Sequence, residues 1–254
     1  MIWTTLAGMA AVGAPNTCVL SNHDVVRHAS RLGRPAAQAG SAPGGVLHGE
    51  RPGDATLGLA RARAATLLML ALPGSAYLYQ GEELGLPEVY DLPDAVRQDP
   101  EHRRSGGARL GRDGCRVPLP WSGQAPPFGF GPPGSRPWLP RPAGWAALTV
   151  AAQRADPRST LSMYRAALRL RRELRLGRGP IGWPDPLEPD VLVFTRPGLV
   201  CATNFGTTPI RLPGPGRAGS PAPPAVYPAE PVLASGEVRQ PGVLPPATTV
   251  WWRR

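Results

Sequence analysis

The sequence predicts an α/β protein in which a strand, a helix and a second strand are followed, after a long loop-rich stretch, by a small antiparallel β domain. Two short apolar runs, Cys18–Ser21 and Ser75–Tyr79, flank a predicted helix over about residues 55–72. A strand, a helix and a strand in this order form a βαβ unit, whose two strands pack in parallel. The character of the sequence changes at about residue 179, and the closely spaced β-rich runs that follow from Val191 onward predict the antiparallel part.

The elements of the first part have clear start and stop signals. Residues 1–13 are expected to form the end of a helix that Gly13 closes. Residues 33–53 are rich in Gly, Pro and Ala, which predicts a surface loop. Asp54 is predicted to cap the central helix, and Pro73-Gly74 to end it. Because apolar residues surround much of that helix, it is expected to be largely buried.

The predicted second strand is followed by a stretch with little hydrophobic periodicity. Residues 84–157 contain much Pro and Gly and are predicted to form a long excursion. Asp156-Pro157 predicts the start of a helix that runs to about Arg175, with Asp as its cap. Beyond it, the hairpin signal Arg196-Pro197-Gly198 joins two β-rich runs. Short strands are expected at 191–195, 199–203, 209–212, 231–233 and 248–252.

The charge of the chain first suggests a nucleic-acid partner. The formal net charge is +10, and all 28 basic residues are Arg. These arginines are scattered and form no long basic run, whereas a surface that follows phosphates needs a clustered patch. We therefore expect no nucleic-acid partner, and the open alternative, a basic nucleic-acid-binding protein, predicts a steep salt dependence of DNA affinity.

Other features bound the location and the cofactors. The chain has no run of about eighteen apolar residues, so no membrane partner is expected. Its first residues lack the basic start and apolar core of a secretion signal, which predicts a cytoplasmic location. Cys18, Cys115 and Cys201 lie far apart and show no metal-ligand spacing, so we expect reduced thiols, no metal and no cofactor.

Three segments carry a resemblance to a known enzyme superfamily. Val19–His28, which contains Asn22-His23-Asp24, resembles the fourth signature segment of α-amylase-superfamily glycoside hydrolases. Leu70–Gly85 resembles the eighth barrel strand of those enzymes. Gly111–Trp121 resembles the following loop of the α-glucosidase and oligo-1,6-glucosidase branch, and the surroundings of Asn204-Phe205-Gly206 fit the β domain of that branch. The order of the segments is also that of the superfamily.

The resemblance implies a fold and a site. The fold would be the C-terminal part of a (β/α)8 TIM barrel over residues 1–177, with about the last two strands and their helices, and an all-β domain over 178–254. Asp24 would be the acid that stabilises the transition state, and His23 and Arg116 would bind the sugar. Hydrogen bonds to ring hydroxyls that strengthen as positive charge develops favour the transition state over the ground state.

The implied reaction is the retaining hydrolysis of terminal α-glucosidic bonds in oligosaccharides or disaccharides. Such a reaction needs a nucleophile and an acid/base carboxyl about 5 Å apart. Residues 1–21 contain neither of the corresponding family segments, so the chain is expected to be truncated at its N-terminus and inactive alone. Glu82 and Glu83 are adjacent, and in a strand or tight turn they cannot both face one substrate bond.

Several alternatives stay open at this point. One alternative is a non-catalytic carbohydrate-binding fragment, which would bind sugar without hydrolysing it. Transglucosidases and sugar isomerases of the same superfamily share the segments quoted above. The sequence leaves open the preferred linkage and the oligomeric state.

Overall fold

The computed structural model describes residues 2–35, 46–50, 52–184, 187–212 and 230–254. The chain divides into two units that do not follow the order of the sequence. The expected boundary between residues 177 and 178 falls inside the first unit and stays a prediction. The first unit consists of Met1–Val19, Arg63–Tyr77 and Arg165–Arg254, and the second unit of Leu20–Ala62 and Leu78–Tyr164.

The predicted parallel strand pair is present in the first unit. Strand β1 (Thr17–Val19) pairs in parallel with strand β3 (Ser75–Tyr77), and Cys18 lies opposite Ala76. Helix α1 (Ile2–Ala11) precedes β1. Both strands end two residues earlier than predicted. After β1 the chain turns away, because the side-chain oxygen of Ser21 accepts a hydrogen bond from the backbone N–H of His28 at 2.9 Å.

The helix between these strands, α3 (Ala55–Ala71), has nearly the predicted bounds. The Asp54 carboxylate accepts a hydrogen bond from the backbone N–H of Leu57 at 2.9 Å, so the predicted cap is confirmed. Leu67 and Leu70 are completely buried. Arg171 donates to the carbonyl of Leu70 in the last turn of the helix at 2.5 Å, a group that the helix leaves unpaired, and to the carbonyls of Leu72 and Gly74 beyond it at 2.8 and 2.6 Å.

The next predicted helix begins later than expected. Helix α6 runs over Thr160–Glu173, and a separate helix, α5 (Val150–Ala155), precedes it. The carboxylate of Asp156 accepts from the backbone N–H of Arg158 at 2.8 Å and so closes a turn between the two helices. Ser159, rather than Asp156, accepts from the first turn of α6, at 3.1 Å from Ser162 N.

The predicted antiparallel sheet occupies the C-terminal part of the first unit. Strands β5 (Val191–Arg196) and β6 (Leu199–Asn204) form a hairpin through Pro197-Gly198, where the φ of +75° at Gly198 suits glycine. The remaining strands are β7 (Ile210–Arg211), β8 (Leu233–Ala234), β9 (Val243–Leu244) and β10 (Thr248–Arg253). The sheet order is β5-β6-β10-β8, and a second antiparallel pair joins β7 to β9.

The two faces of the four-stranded sheet have different neighbours. Val193 and Val250 on one face pack into a core with Leu212 and Leu244, near the β7–β9 pair. The other face contacts α3: the Thr249 hydroxyl donates to Ala64 O at 2.8 Å. This face also contains Trp251, which is completely buried. Both faces are therefore covered, and every residue of β6 and β10 except Arg253 is buried.

The second unit contains the long excursion, which forms its own core. Its apolar centre includes Leu84, Val117, Leu139 and Trp145. The prediction of a loop over 33–53 is wrong at β2 (Val46–Leu47), because this segment pairs with β4 (Arg109–Gly111), while residues 36–45 lie outside the described residues. Short helices fill the rest: α2 (His28–Arg31), α4 (Pro100–Arg104) and 3-10 turns at Asp94–Val96, Asp113–Cys115 and Ala143–Leu148.

The chain contains three cysteines. Cys115 and Cys201 are buried, Cys18 is partly buried, and none of them forms a disulfide. Burial raises the pKa of the Cys115 thiol to about 12. In the part of the chain that the structure describes, none of the helices has both the length and the apolar character needed to cross a bilayer.

Candidate active site

Asp24 lies at the tip of a tight turn in the second unit. Its backbone N–H donates to the side-chain oxygen of Asn22 at 2.8 Å, which is an Asx turn. This contact explains why an Asn two residues before Asp24 is useful: it shapes the turn that presents the carboxylate. The Asp24 side chain is 49% exposed, so solvent or a ligand can reach it.

The predicted site residues come together around Asp24. The guanidinium of Arg116 approaches Asp24 Oδ1 through Nη2 at 3.3 Å, and its Nε donates to the carbonyl of His23 at 2.9 Å. His23 Nε2 lies 3.3 Å from Asp24 Oδ2. Asp24, His23 and Arg116 therefore form one cluster, although Arg116 is far from the other two in the sequence.

The structure adds Arg112, which sequence reasoning did not single out. Its Nη1 donates to Asp24 Oδ1 at 2.7 Å, a shorter contact than that of Arg116. The available signal was the Gly111–Trp121 segment, in which Arg112 and Arg116 are four residues apart. The resemblance directed attention to the second arginine only.

A buried acid lies behind Arg112. Asp99 Oδ2 accepts from Arg112 Nε at 2.6 Å, and Asp99 Oδ1 accepts from Arg112 Nη2 at 3.1 Å. The hydrogen bonds from Arg112 hold the pKa of the Asp99 carboxyl well below its usual range, and Asp99 raises the pKa of Arg112. Both groups are therefore charged at neutral pH.

The loop that carries Arg112 is fixed by its own backbone contacts. Asp113 Oδ2 accepts from the backbone N–H groups of Gln98 and Asp99 at 2.7 and 2.9 Å. Gly111 has a φ of +74°, and a Cβ there would lie 2.7 Å from the Cβ of Asp99. Only glycine permits this close approach of the two segments.

Arg27 has a structural role in the second unit. It is 2% exposed, and its guanidinium donates to the carbonyls of Gln80 and Cys115 at 2.8 and 2.7 Å. The same guanidinium lies 5.3 Å from the centroid of the Tyr79 ring. Arg27 therefore ties three chain segments together and does not contact Asp24 itself. Arg31 donates to the carbonyl of Leu20 in a similar way.

The adjacent acids Glu82 and Glu83 do not form a catalytic pair. Glu83 Oε2 accepts from the backbone N–H of Gly81 at 2.8 Å, so it orders its own turn. Glu82 is buried and accepts from the hydroxyl of Tyr164 at 3.3 Å. Burial raises the pKa of Glu82 to about 7.

Comparison with known proteins decides the family. The model of the alpha amylase catalytic domain matches residues 3–178, which include β1, β3 and the whole Asp24 cluster. The chain belongs to the α-amylase family. The resemblance seen in the sequence is therefore confirmed.

Curated relatives place this α-amylase family member near glucosidases. A probable alpha-glucosidase of Rhizobium meliloti (strain 1021) is 37% identical over 152 residues, which are 60% of this chain and 23% of the relative. The salivary alpha-glucosidase of Anopheles gambiae is 33% identical over 214 residues, which are 79% of this chain and 30% of the relative. The chain thus spans less than a third of the length of either relative, and both names support the glucosidase branch.

A solved structure supports the fold. The alpha-glucosyl transfer enzyme XgtA superposes with a TM-score of 0.68 at 32% identity, and the match covers 99% of this chain and 43% of that chain. Together with the family match, this similarity implies a TIM-barrel-type fold for the α/β part of the family member.

The Asp24 cluster suits recognition of a polyhydroxylated ligand. Asp24 supplies acceptor oxygens, and Arg112, Arg116 and His23, which surround it, supply hydrogen-bond donors. Within the described ranges, His, Cys, Asp and Glu side chains do not gather in threes in a way that could hold a metal ion. The chemistry that this cluster can perform is hydrogen bonding to hydroxyls and stabilisation of positive charge.

The buried acid Glu88 is expected to make the free energy of unfolding depend on pH. It is 5% exposed and accepts from the backbone N–H of Arg27 at 2.9 Å, while burial raises its pKa to about 7. Because the folded state holds this proton more tightly, the contribution of Glu88 is complete below about pH 4.5 and is lost as the pH rises through 7. We expect wild-type stability relative to Glu88→Gln to fall by about 1.4 kcal/mol per pH unit in this window.

Urea denaturation of both proteins at pH 5, 6, 7 and 8 measures this difference. Glu82 titrates equally in both proteins and cancels. Gln124→Ala, at an exposed side chain of the same unit that does not titrate, is the control and should show no such slope. A difference between wild type and Glu88→Gln that stays constant with pH would contradict the expectation.

Proposed function

We propose that the chain forms a sugar-binding portion of an α-glucosidase-type glycoside hydrolase. In this proposal β1 and β3 are about the last two strands of the barrel, and the substrate is an oligosaccharide or disaccharide with a terminal α-linked glucose. The observation that carries the proposal is the convergence of Asp24, His23, Arg116 and Arg112 on one accessible point. The glucosidase relatives support the substrate class.

Each residue of the cluster has a role in this proposal. Asp24 stabilises the positive charge that develops on the sugar ring in the oxocarbenium-like transition state. His23 and Arg116 donate hydrogen bonds to sugar hydroxyls. Arg112 joins them, because its Nη1 already lies 2.7 Å from Asp24 and is directed toward the same point. The guanidinium groups of Arg112 and Arg116 lie 2.7 and 3.3 Å from Asp24 Oδ1 and hold this carboxylate in place.

The chain alone is proposed to bind sugar without cleaving it. Retaining hydrolysis needs two carboxyl groups about 5 Å apart. Among the described residues, the carboxyl groups that contact this cluster are Asp24 and Asp99, and Asp99 is fully buried against Arg112. Glu82 and Glu83 are engaged in other contacts. In this proposal, the nucleophile and the acid/base group come from outside the described residues of this chain.

Replacing Asp24 tests the proposal. We expect the wild-type chain to bind glucose and 1-deoxynojirimycin, a cationic glucose mimic, in isothermal titration calorimetry. Asp24→Asn should weaken binding of the cationic mimic at least about tenfold, because a charge-assisted contact is lost. Asp91→Asn, at an exposed carboxyl of the same unit, should leave both affinities unchanged.

Two outcomes would contradict the proposal. If neither ligand binds the folded wild-type chain, the cluster does not recognise sugar. If the chain releases p-nitrophenol from p-nitrophenyl α-glucoside at the rate of an intact α-glucosidase, the proposed division between binding and cleavage is wrong.

Transglucosylation is the second candidate for the complete enzyme. The observation that favours it is the 32% identity with the alpha-glucosyl transfer enzyme XgtA. Product analysis with maltose would distinguish the two, because a transferase forms longer glucosides and a hydrolase releases glucose alone. This test needs the chain joined to the catalytic carboxylates that it lacks in the present proposal.

A further inference from the structure

Asp99 is a fully buried carboxylate that faces both arginines of the cluster. Its side chain has no exposed surface. Arg112 contacts it through Nε and Nη2 at 2.6 and 3.1 Å, and Arg116 Nη1 lies 3.9 Å from Asp99 Oδ2. Asp99 therefore lies on the protein side of two guanidinium groups whose other side faces Asp24.

The carboxylate of Asp99 is held from several directions. Oδ1 accepts from the backbone N–H of Glu101 at 3.0 Å, and Oδ2 accepts from the backbone N–H of Arg112 at 2.8 Å. The backbone of Asp99 is itself fixed, since its N–H donates to Asp113 Oδ2 at 2.9 Å. These contacts leave Asp99 little freedom to rotate, so it can serve as a fixed reference point for Arg112.

The contact with Asp99 determines the direction of Arg112. A guanidinium is planar, and two simultaneous hydrogen bonds to one carboxylate fix both its plane and its rotation. Arg112 uses Nε and Nη2 for Asp99, and the donor that remains, Nη1, meets Asp24 at 2.7 Å. Without Asp99, Arg112 would be free to turn its full edge toward Asp24.

Asp99 also sets the charge balance of the cluster. Arg112 and Arg116 contribute two positive charges, and Asp24 alone supplies one negative charge. With Asp99 the four groups balance, and a ligand that develops positive charge meets no excess of cations. Removal of one buried negative charge would disfavour a cationic ligand more than a neutral one.

We propose that Asp99 is a positioning residue of the sugar site, which holds Arg112 so that Asp24 stays available to the ligand. Its part in sugar binding rests on the proposed function, whereas its hold on Arg112 does not. The simpler role is that of a helix cap, because Asp99 precedes α4 and accepts from its first turn. The two roles differ in what happens to Arg112 when the carboxylate is removed.

Nuclear magnetic resonance tests the hold on Arg112 without any sugar. In a chain labelled with 15N-arginine, the Arg112 Nε–H signal is assigned by its disappearance in Arg112→Lys. We expect Asp99→Asn to raise the hydrogen-exchange rate of this signal at least about tenfold, because its acceptor at 2.6 Å becomes a neutral amide. The Arg27 and Arg196 signals should not change, which shows that both units remain folded.

The matched control is Asp54→Asn, which changes an aspartate cap in the same way at α3. It should leave the Arg112 signal as it is in the wild type. An Arg112 signal that stays protected in folded Asp99→Asn would overturn the proposal and leave Asp99 as a cap only.

Sugar affinity gives a second readout that a loss of folded protein would not change. In Asp99→Asn, the ratio of the dissociation constants of 1-deoxynojirimycin and glucose should rise at least about threefold, since only the cationic ligand responds to the lost charge. Equal weakening of both ligands would overturn the charge-balancing role. If the wild type binds neither sugar, the proposed function fails, while the Arg112 exchange rate still decides whether Asp99 positions this arginine.

Asp99→Glu provides the test if Asp99→Asn does not fold. This variant keeps the charge but moves the carboxylate by one methylene. The proposal then expects faster exchange at Arg112 with an unchanged Arg27 signal and a ligand ratio close to that of the wild type. Unchanged exchange at Arg112 would overturn it.

Discussion

Replacement of Arg27 by methionine is expected to lower the free energy of unfolding of the second unit by about 3 kcal/mol. A buried charge can often be exchanged for an apolar side chain when its partner is replaced too. Here the partners are the backbone carbonyls of Gln80 and Cys115, which no side-chain substitution removes. Methionine fills much of the volume but leaves both carbonyls without these donors.

Hydrogen exchange followed by mass spectrometry can measure this loss in the second unit separately from the first. Peptides that cover residues 79–81 and 113–117 should lose protection first, because they contain the freed carbonyls and their neighbours. Arg104→Met, at an exposed arginine of the same unit, is the control and should change stability by no more than about 0.5 kcal/mol. A loss below about 1 kcal/mol for Arg27→Met would show that Arg27 is not the tie described above.

Replacement of Trp251 by alanine is expected to destabilise the first unit by about 4 kcal/mol. Trp251 is completely buried in the central strand β10, between Cys201 on β6 and Leu233 on β8. Truncation to alanine removes nearly the whole side chain, and the rigid neighbouring strands cannot close the cavity that remains.

Urea denaturation monitored by hydrogen exchange in β6 and β10 provides the measurement. Trp3→Ala serves as the control, because Trp3 is 61% exposed and its removal should cost no more than about 0.5 kcal/mol. If Trp251→Ala and Trp3→Ala lower the free energy of unfolding by the same amount, the packing of Trp251 on the sheet face that contacts α3 does not stabilise the first unit.

Local signals predicted the parts of the fold that local contacts determine. Asp54 was identified as a cap because a cap needs only an acceptor three residues before its donor. The start of α6 was wrong for the complementary reason: Asp156-Pro157 has the composition of a helix start, yet its carboxylate closes a turn. The strand Val46–Leu47 was missed because its partner, Arg109–Gly111, is distant in the sequence, and two residues carry no periodicity.

The residues of the candidate site also differ in whether local sequence segments or contacts made by the fold reveal them. Asp24, His23 and Arg116 were predicted because they lie in segments that resemble a known family. Arg112 lies in one of those segments too, but its contact with Asp24 spans 88 residues of sequence and depends on the fold. Asp99 precedes Pro100, which is a sequence signal for a helix cap but not for burial or for a contact with Arg112.

The reactivity of the buried Cys115 thiol can report the opening of the loop that carries Arg112. The sulfur of Cys115 donates to the carbonyl of Arg112 at 3.1 Å, and the residue is 1% exposed. A thiol reagent can therefore modify Cys115 only when the loop opens, so the labelling rate reports the frequency of local unfolding. A ligand that bridges Asp24 and Arg112 should lower this labelling rate, which gives a measure of sugar binding that requires no catalysis.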